Sequence, residues 1–132
     1  MKSVIMILMT ITLSLIMLAC DPPSYYDYYV TNNCDDYIIV KVTGSVYNRG
    51  HNNMRITQIE HDSTKLVFSS EDYQFIHIQN AILVLLEEVT IIKGNETSRV
   101  DYINTNLWTL EKIDKDHGKC YITINPKDFE DE

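Results

Sequence analysis

The chain has 132 residues, with 11 Lys and Arg against 19 Asp and Glu and a formal net charge of −8 at pH 7. An acid excess of that size argues against nucleic acid and against anionic lipid headgroups as partners, because both reward clustered cations. At 45% hydrophobic residues, the chain has material for one core-forming domain that needs neither a structural metal nor a dense disulfide framework.

The first segment in chain order is a leader. Lys2 supplies a short positive region, Val4 to Leu18 is apolar apart from hydroxyl residues, and the small Ala19 stands directly before Cys20. That three-part pattern is the grammar of a secretory signal peptide, and its apolar core is too short for a permanent span. Met17-Leu18-Ala19-Cys20 resembles the lipobox of bacterial lipoproteins. The resemblance implies cleavage before Cys20, a diacylglycerol thioether on its sulfur, and palmitate-type acylation of the new amino terminus. Removal of Lys2 with the leader, and of no acid, takes the formal charge to −9. Each buried methylene adds ~0.8 kcal/mol of anchoring, so several acyl chains hold where one is marginal. An uncleaved anchor, or ordinary secretion with Cys20 as a plain thiol, is the alternative.

Modifying Cys20 leaves Cys34 and Cys120, an even pair in an exported protein. A disulfide between them is the expectation. It would close nearly the whole domain into one loop, a cross-link of ~4–5 kcal/mol in the chain-entropy description. Two buried free thiols are the alternative.

Asp21-Pro-Pro-Ser24 cannot start a helix or a central strand, since proline lacks an amide donor and imposes extended geometry. Residues 20–33 therefore read as the lipidated cysteine and a stiff tether, with 34–132 as the folded domain and 1–19 as the cleaved leader. Tyr25, Tyr26, Tyr28 and Tyr29 lead into a first strand, either covering an edge of the core or forming a ligand-facing platform.

Tyr37 to Tyr47 alternates, with Ile38, Val40 and Val42 on one face, and Gly44 marks a bulge or bend. Met54 to His61 is a less regular strand, with Ile56 and Ile59 out of phase. Asp62 to Lys65 reads as a turn and Leu66 to Phe68 as a brief strand. Tyr73 to Ile78 alternates again. Ala81 to Leu86 is a continuous apolar run, open between a helical turn and a strand buried on both faces. Val89 to Lys93 is strand-like, and Gly94-Asn95 is a turn signal. Asn95-Glu96-Thr97 matches a glycosylation sequon that an exported bacterial protein leaves bare. Trp108, the only tryptophan, is expected in the core with its indole nitrogen on a polar partner. Asp114 to Gly118 turns into Lys119 to Ile124, where Cys120, Ile122 and Ile124 share a face. Pro126 ends pairing, and Asp128 to Glu132 reads as a frayed acidic tail.

Six to eight short strands between polar turns, with at most one short helix, specify an all-β, antiparallel two-layer β-sandwich. The lipobox, the acidic-proline tether, Ile91-Ile-Lys-Gly-Asn95, Asp101-Tyr102, Leu107-Trp108 and Tyr121-Ile-Thr-Ile-Asn-Pro-Lys-Asp-Phe129 together resemble small lipoproteins of Bacteroidetes. That resemblance implies a sandwich of immunoglobulin-like or transthyretin-like type and carries over no catalytic residue.

Chemistry is sparse. His51, His61, His77 and His117 fall on separate elements without metal-ligand spacing, so no metal site is expected. Asp114-Lys-Asp-His-Gly118 lacks the further oxygen donors of a calcium loop. Glu71-Asp72 and Glu87-Glu88 are adjacent acids of a kind ordinarily solvated. No nucleophile elbow, P-loop or dinucleotide fingerprint occurs, so neither an enzyme nor a cofactor is expected. The leading expectation is a non-catalytic interaction module held in the bacterial cell envelope, at the outer membrane, by lipid on Cys20. Its partner is another envelope protein or a glycan. The glycan alternative, an accessory protein for nutrient capture, needs Trp108 and the tether tyrosines exposed for stacking on sugars; the further alternative, an envelope enzyme, needs titratable residues converging in a cleft.

Overall fold

The computed structural model describes residues 24–45, 52–72, 86–114 and 116–130. The leader, Cys20, the expected strand over 73–78, and the 81–86 run apart from Leu86 lie outside the described residues. Among the described residues there are eight strands: β1 (Ser24–Asn32), β2 (Ile38–Ser45), β3 (Asn52–Ile59), β4 (Ser63–Asp72), β5 (Leu86–Lys93), β6 (Glu96–Thr97), β7 (Thr109–Lys112) and β8 (His117–Ile124). Single 3-10 turns cover Thr105–Leu107 and Pro126–Phe129. The strands form two four-stranded sheets, ordered β4-β1-β8-β7 and β3-β2-β5-β6.

Period-two alternation builds the core between them. From the first sheet it takes Tyr26, Tyr28, Val30, Cys120, Ile122 and Ile124; from the second, Ile38, Val40, Val42, Ile59 and Ile91. The chain is therefore an all-β two-layer sandwich. Its strand order departs from the immunoglobulin arrangement, whose first two strands are sheet neighbours, because β1 and β2 lie in opposite sheets.

Trp108 is buried, donates its indole N–H to the Tyr102 carbonyl at 2.7 Å, and meets Tyr28 edge-on at 5.7 Å. Gly94 turns β5 into β6 with a φ of 59°, a left-handed geometry that glycine adopts without steric cost. The register of β2 against β5 shifts between Thr43 and Gly44, so Gly44 does mark a bulge. A second shift lies between Tyr28 and Tyr29, where β4 carries Val67 as the extra residue. This bulge lets the adjacent Val67 and Phe68 both turn inward.

The structure corrects several expectations. Residues 24–32 are not tether but strand β1, at the centre of a sheet, because their alternate residues Tyr26, Tyr28 and Val30 fill the core. The sandwich is not wholly antiparallel: β1 and β8, near opposite ends of the chain, pair in parallel. A parallel pair needs a long connection, which the rest of the domain provides. The turn expected over 62–65 is confined to His61 and Asp62, with β4 starting at Ser63. The tail is tied down at its start: Asp128 accepts from the Asn125 N–H at 2.8 Å, and the Asp128 carbonyl accepts from Ser98 at 2.8 Å.

The expected Cys34–Cys120 bridge is also corrected: both thiols are free and buried. Cys34 lies just past β1, its Sγ donating to the Ile124 carbonyl at 3.8 Å. Cys120 pairs with Tyr28, four residues back along β8 from Ile124. Four strand residues span roughly 13 Å, about twice the reach of a disulfide. The end strands do lie side by side, but their cysteines are out of step.

Asn32 fastens the far end of β1. Fully buried, it donates from Nδ2 to the carbonyls of Asp36 at 2.8 Å and Ile59 at 3.0 Å, and its Oδ1 accepts from the Cys34 N–H at 2.8 Å. The Asp62 N–H donates to the Asn32 carbonyl at 2.9 Å, and the His61 ring meets the Cys34 carbonyl. These bonds bring the starts of β2 and β4 and the end of β3 to the Asn32 end of β1. The start of β1 lies at the other end, beside Asp72 and His117.

Candidate functional site

The residues of β1 and β8 that alternation turns away from the core are Tyr25, Asp27, Tyr29 and Thr31, and His117, Lys119, Tyr121 and Thr123. Parallel pairing sets them side by side in rungs, Tyr25 with His117, Asp27 with Lys119, Tyr29 with Tyr121 and Thr31 with Thr123. β4 and β7 extend these rungs, adding Ser69 beside Asp27, Leu66 beside Tyr29, Thr64 beside Thr31, and Glu111 beside Lys119. The outer face of the first sheet is therefore a ribbed surface of mixed chemistry.

Its centre is aromatic. The Tyr29 and Tyr121 rings stack at 5.3 Å with 21° between planes, and the Lys119 ammonium lies 5.9 Å from the Tyr29 centroid. Leu66 beside them is 40% exposed. The Tyr121 hydroxyl donates to Glu111 Oε2 at 3.0 Å. Desolvation and then that carboxylate hold the phenol proton more tightly than usual, so Tyr121 presents a neutral ring. The threonine rung is joined by a 2.8 Å bond between the Thr31 and Thr64 hydroxyls.

Asp27, His117 and Ser69 meet one rung away. Asp27 Oδ1 accepts from the Ser69 hydroxyl at 2.7 Å, and Oδ2 lies 2.9 Å from His117 Nε2. The three residue types are those of a hydrolytic triad, but the order is wrong. In a triad the histidine stands between serine and carboxylate and takes the serine proton. Here the carboxylate occupies the middle and accepts the serine hydroxyl, so Ser69 is held rather than activated. The trio fixes side chains on the face.

Of the aromatics singled out from sequence as ligand-facing, Tyr26 and Tyr28 are buried in the core, as is Trp108. None of the three can meet a ligand, because all pack between the sheets. Tyr25 is 46% exposed and Tyr29 is half-buried on the outer face. Reading the sequence missed Tyr121, Lys119, Asp27, Leu66 and Ser69 as members of one surface. The available signal was that Tyr121 alternates out of phase with the core residues Cys120 and Ile122. Among the described residues no cluster of three or more His, Cys, Asp or Glu is placed to hold a metal ion. No described helix is long and apolar enough to cross a membrane. Comparison with known protein families, with curated proteins and with solved structures returned no match.

Proposed function

We propose that this chain is a lipid-anchored lipoprotein of the bacterial cell envelope whose sandwich is a non-catalytic binding module for another envelope protein. The observation that carries the binding part is the outer face of the first sheet, with Leu66, Tyr29 and Tyr121 at its centre and Lys119, Glu111, Asp27 and His117 around them. An apolar, tyrosine-bearing centre ringed by polar groups is the anatomy of a protein interface. The anchoring part rests on the lipobox that ends at Cys20.

Burial of Trp108, Tyr26 and Tyr28 weighs against the glycan reading. Its remaining tyrosines are poorly placed for it, because Tyr29 already gives one ring face to Tyr121 and draws the Lys119 ammonium. A sugar stacking there would compete with both.

Two measurements test the proposal. Labelling cells with an alkyne fatty acid should mark the wild type and leave Cys20→Ala unmarked; equal labelling refutes the anchor. A photo-crosslinking residue replacing Tyr121 should capture one envelope protein in living cells, whereas the same residue replacing Tyr37 should not. Glycan capture by the wild type that Tyr29→Ala abolishes would favour the alternative.

A further inference from the structure

The described strand β1 starts at Ser24, four residues beyond Cys20. Four residues reach at most ~14 Å even when fully extended. β1 itself is nine residues long, roughly 27 Å from end to end. A link this short ties one end of the sandwich, and not the other, to whatever Cys20 is embedded in.

We infer that the start of β1, together with the β7–β8 turn, forms the surface that rests on the bilayer holding the acyl chains. This rests on the lipoprotein reading above and adds the orientation of the domain. The turn adjoins Tyr25 directly: the Tyr25 N–H donates to the Asp116 carbonyl at 2.6 Å, and the Ile113 and Asp114 N–H groups both donate to the His117 carbonyl. Tyr25 and Ile113 are both close to half exposed there, at 46% and 45%. An amphipathic ring and an aliphatic side chain are the groups that settle into a headgroup layer. In sequence Asp114 and Asp116 alternate with Lys112 and Lys115, so the formal charges there balance and the surface fits zwitterionic headgroups. The opposite end, with Asn33, Tyr37, His61 and Asn125, then points away from the membrane. The stacked tyrosines of the first sheet stand along the side, open to a neighbouring protein.

The test uses the acylated full chain in vesicles of zwitterionic lipid carrying a headgroup spin-label quencher. Tyr25→Trp and Tyr37→Trp, each with Trp108→Phe, place one reporter at each end. Because the ends are separated by roughly 27 Å of strand, the reporter at 25 should be quenched at least about threefold more than the reporter at 37. Should Trp108→Phe fail to fold, amide exchange of the wild type serves instead, with vesicles slowing residues 113–117 and leaving 33–37 unchanged. Equal effects at both ends, in protein whose acylation is confirmed by mass, overturn the orientation alone. Protein that carries no acyl mass on Cys20 and leaves the vesicles overturns the anchor, and the orientation falls with it.

Discussion

Replacing Asn32 by alanine should be among the most damaging single changes to this domain. The side chain is fully buried, and its two ends satisfy the Cys34 N–H and the carbonyls of Asp36 and Ile59. Asp36 is exposed, so water can replace its lost partner. Cys34 and Ile59 are buried, and a buried polar group left without a partner costs about 1–3 kcal/mol. Two such groups, with the third hydrogen bond, set the expected loss at about 4 kcal/mol, against a total stability of roughly 5–15 kcal/mol for a typical domain. For a domain of about 100 residues that lowers Tm by roughly 20 °C. Asn32→Asp should do no better at neutral pH, because its carboxylate would face two carbonyl oxygens. Burial there raises the folded-state pKa of the new acid, so stability should return as pH falls and the group protonates. The natural control is Thr31→Ala, one residue away on the outer face, where an exposed hydroxyl pair is lost and the change should stay within about 0.5 kcal/mol. Equilibrium urea unfolding followed by Trp108 fluorescence measures all three. A loss below about 1 kcal/mol for Asn32→Ala at an unchanged m-value would refute the argument.

Other measurements probe the remaining features. Cys34 and Cys120 should both be alkylated after denaturation without reductant and neither in the native protein; a disulfide-linked peptide would restore the bridge that the register denies. Stability should fall in alkali. Burial, and then Asp27, push the Cys120 thiol from an ordinary value near 9 to about 12, and burial pushes the Tyr102 phenol from 10 to about 12, against the pull of its Ser98 hydrogen bond. Both folded-state values exceed the unfolded ones, so the contribution is complete below about pH 9 and drains as pH rises toward about 12, by at most ~1.4 kcal/mol per unit per group. A urea midpoint unchanged between pH 8 and pH 11 would contradict this. Trp108→Ala should lose about 3–5 kcal/mol, and in the wild type the emission should shift red on unfolding; a water-like spectrum in the folded protein would contradict the burial. Tyr121→Ala should cost no more than about 1.5 kcal/mol, the worth of an aromatic pair, while abolishing capture by a photo-crosslinking residue placed at Leu66 on the same face.

Alternation by itself determined that this chain is a sandwich, because a period of two sorts side chains to two faces wherever the chain is extended. It placed Val40 and Val42 inside, and the bulk of Trp108 marked it as a core residue. The geometry of Gly94-Asn95 was legible for the same local reason, since only the turn's own backbone decides it. Partnership between strands was not legible. Nothing in Ser24–Asn32 says that its neighbours are β4 and β8, and the prolines before it suggested a tether instead. Register is a second unknown that no local pattern carries. Cys120 sits on β8 opposite Tyr28, whereas Cys34 lies past the end of β1 beside Ile124, and that offset separates a disulfide from two buried thiols. The candidate binding face has the same origin. Tyr29 and Tyr121 are 92 positions apart in the chain, and only the parallel pairing of β1 with β8 stacks their rings. Local periodicity chooses the face a side chain occupies; burial of the whole core chooses which faces meet.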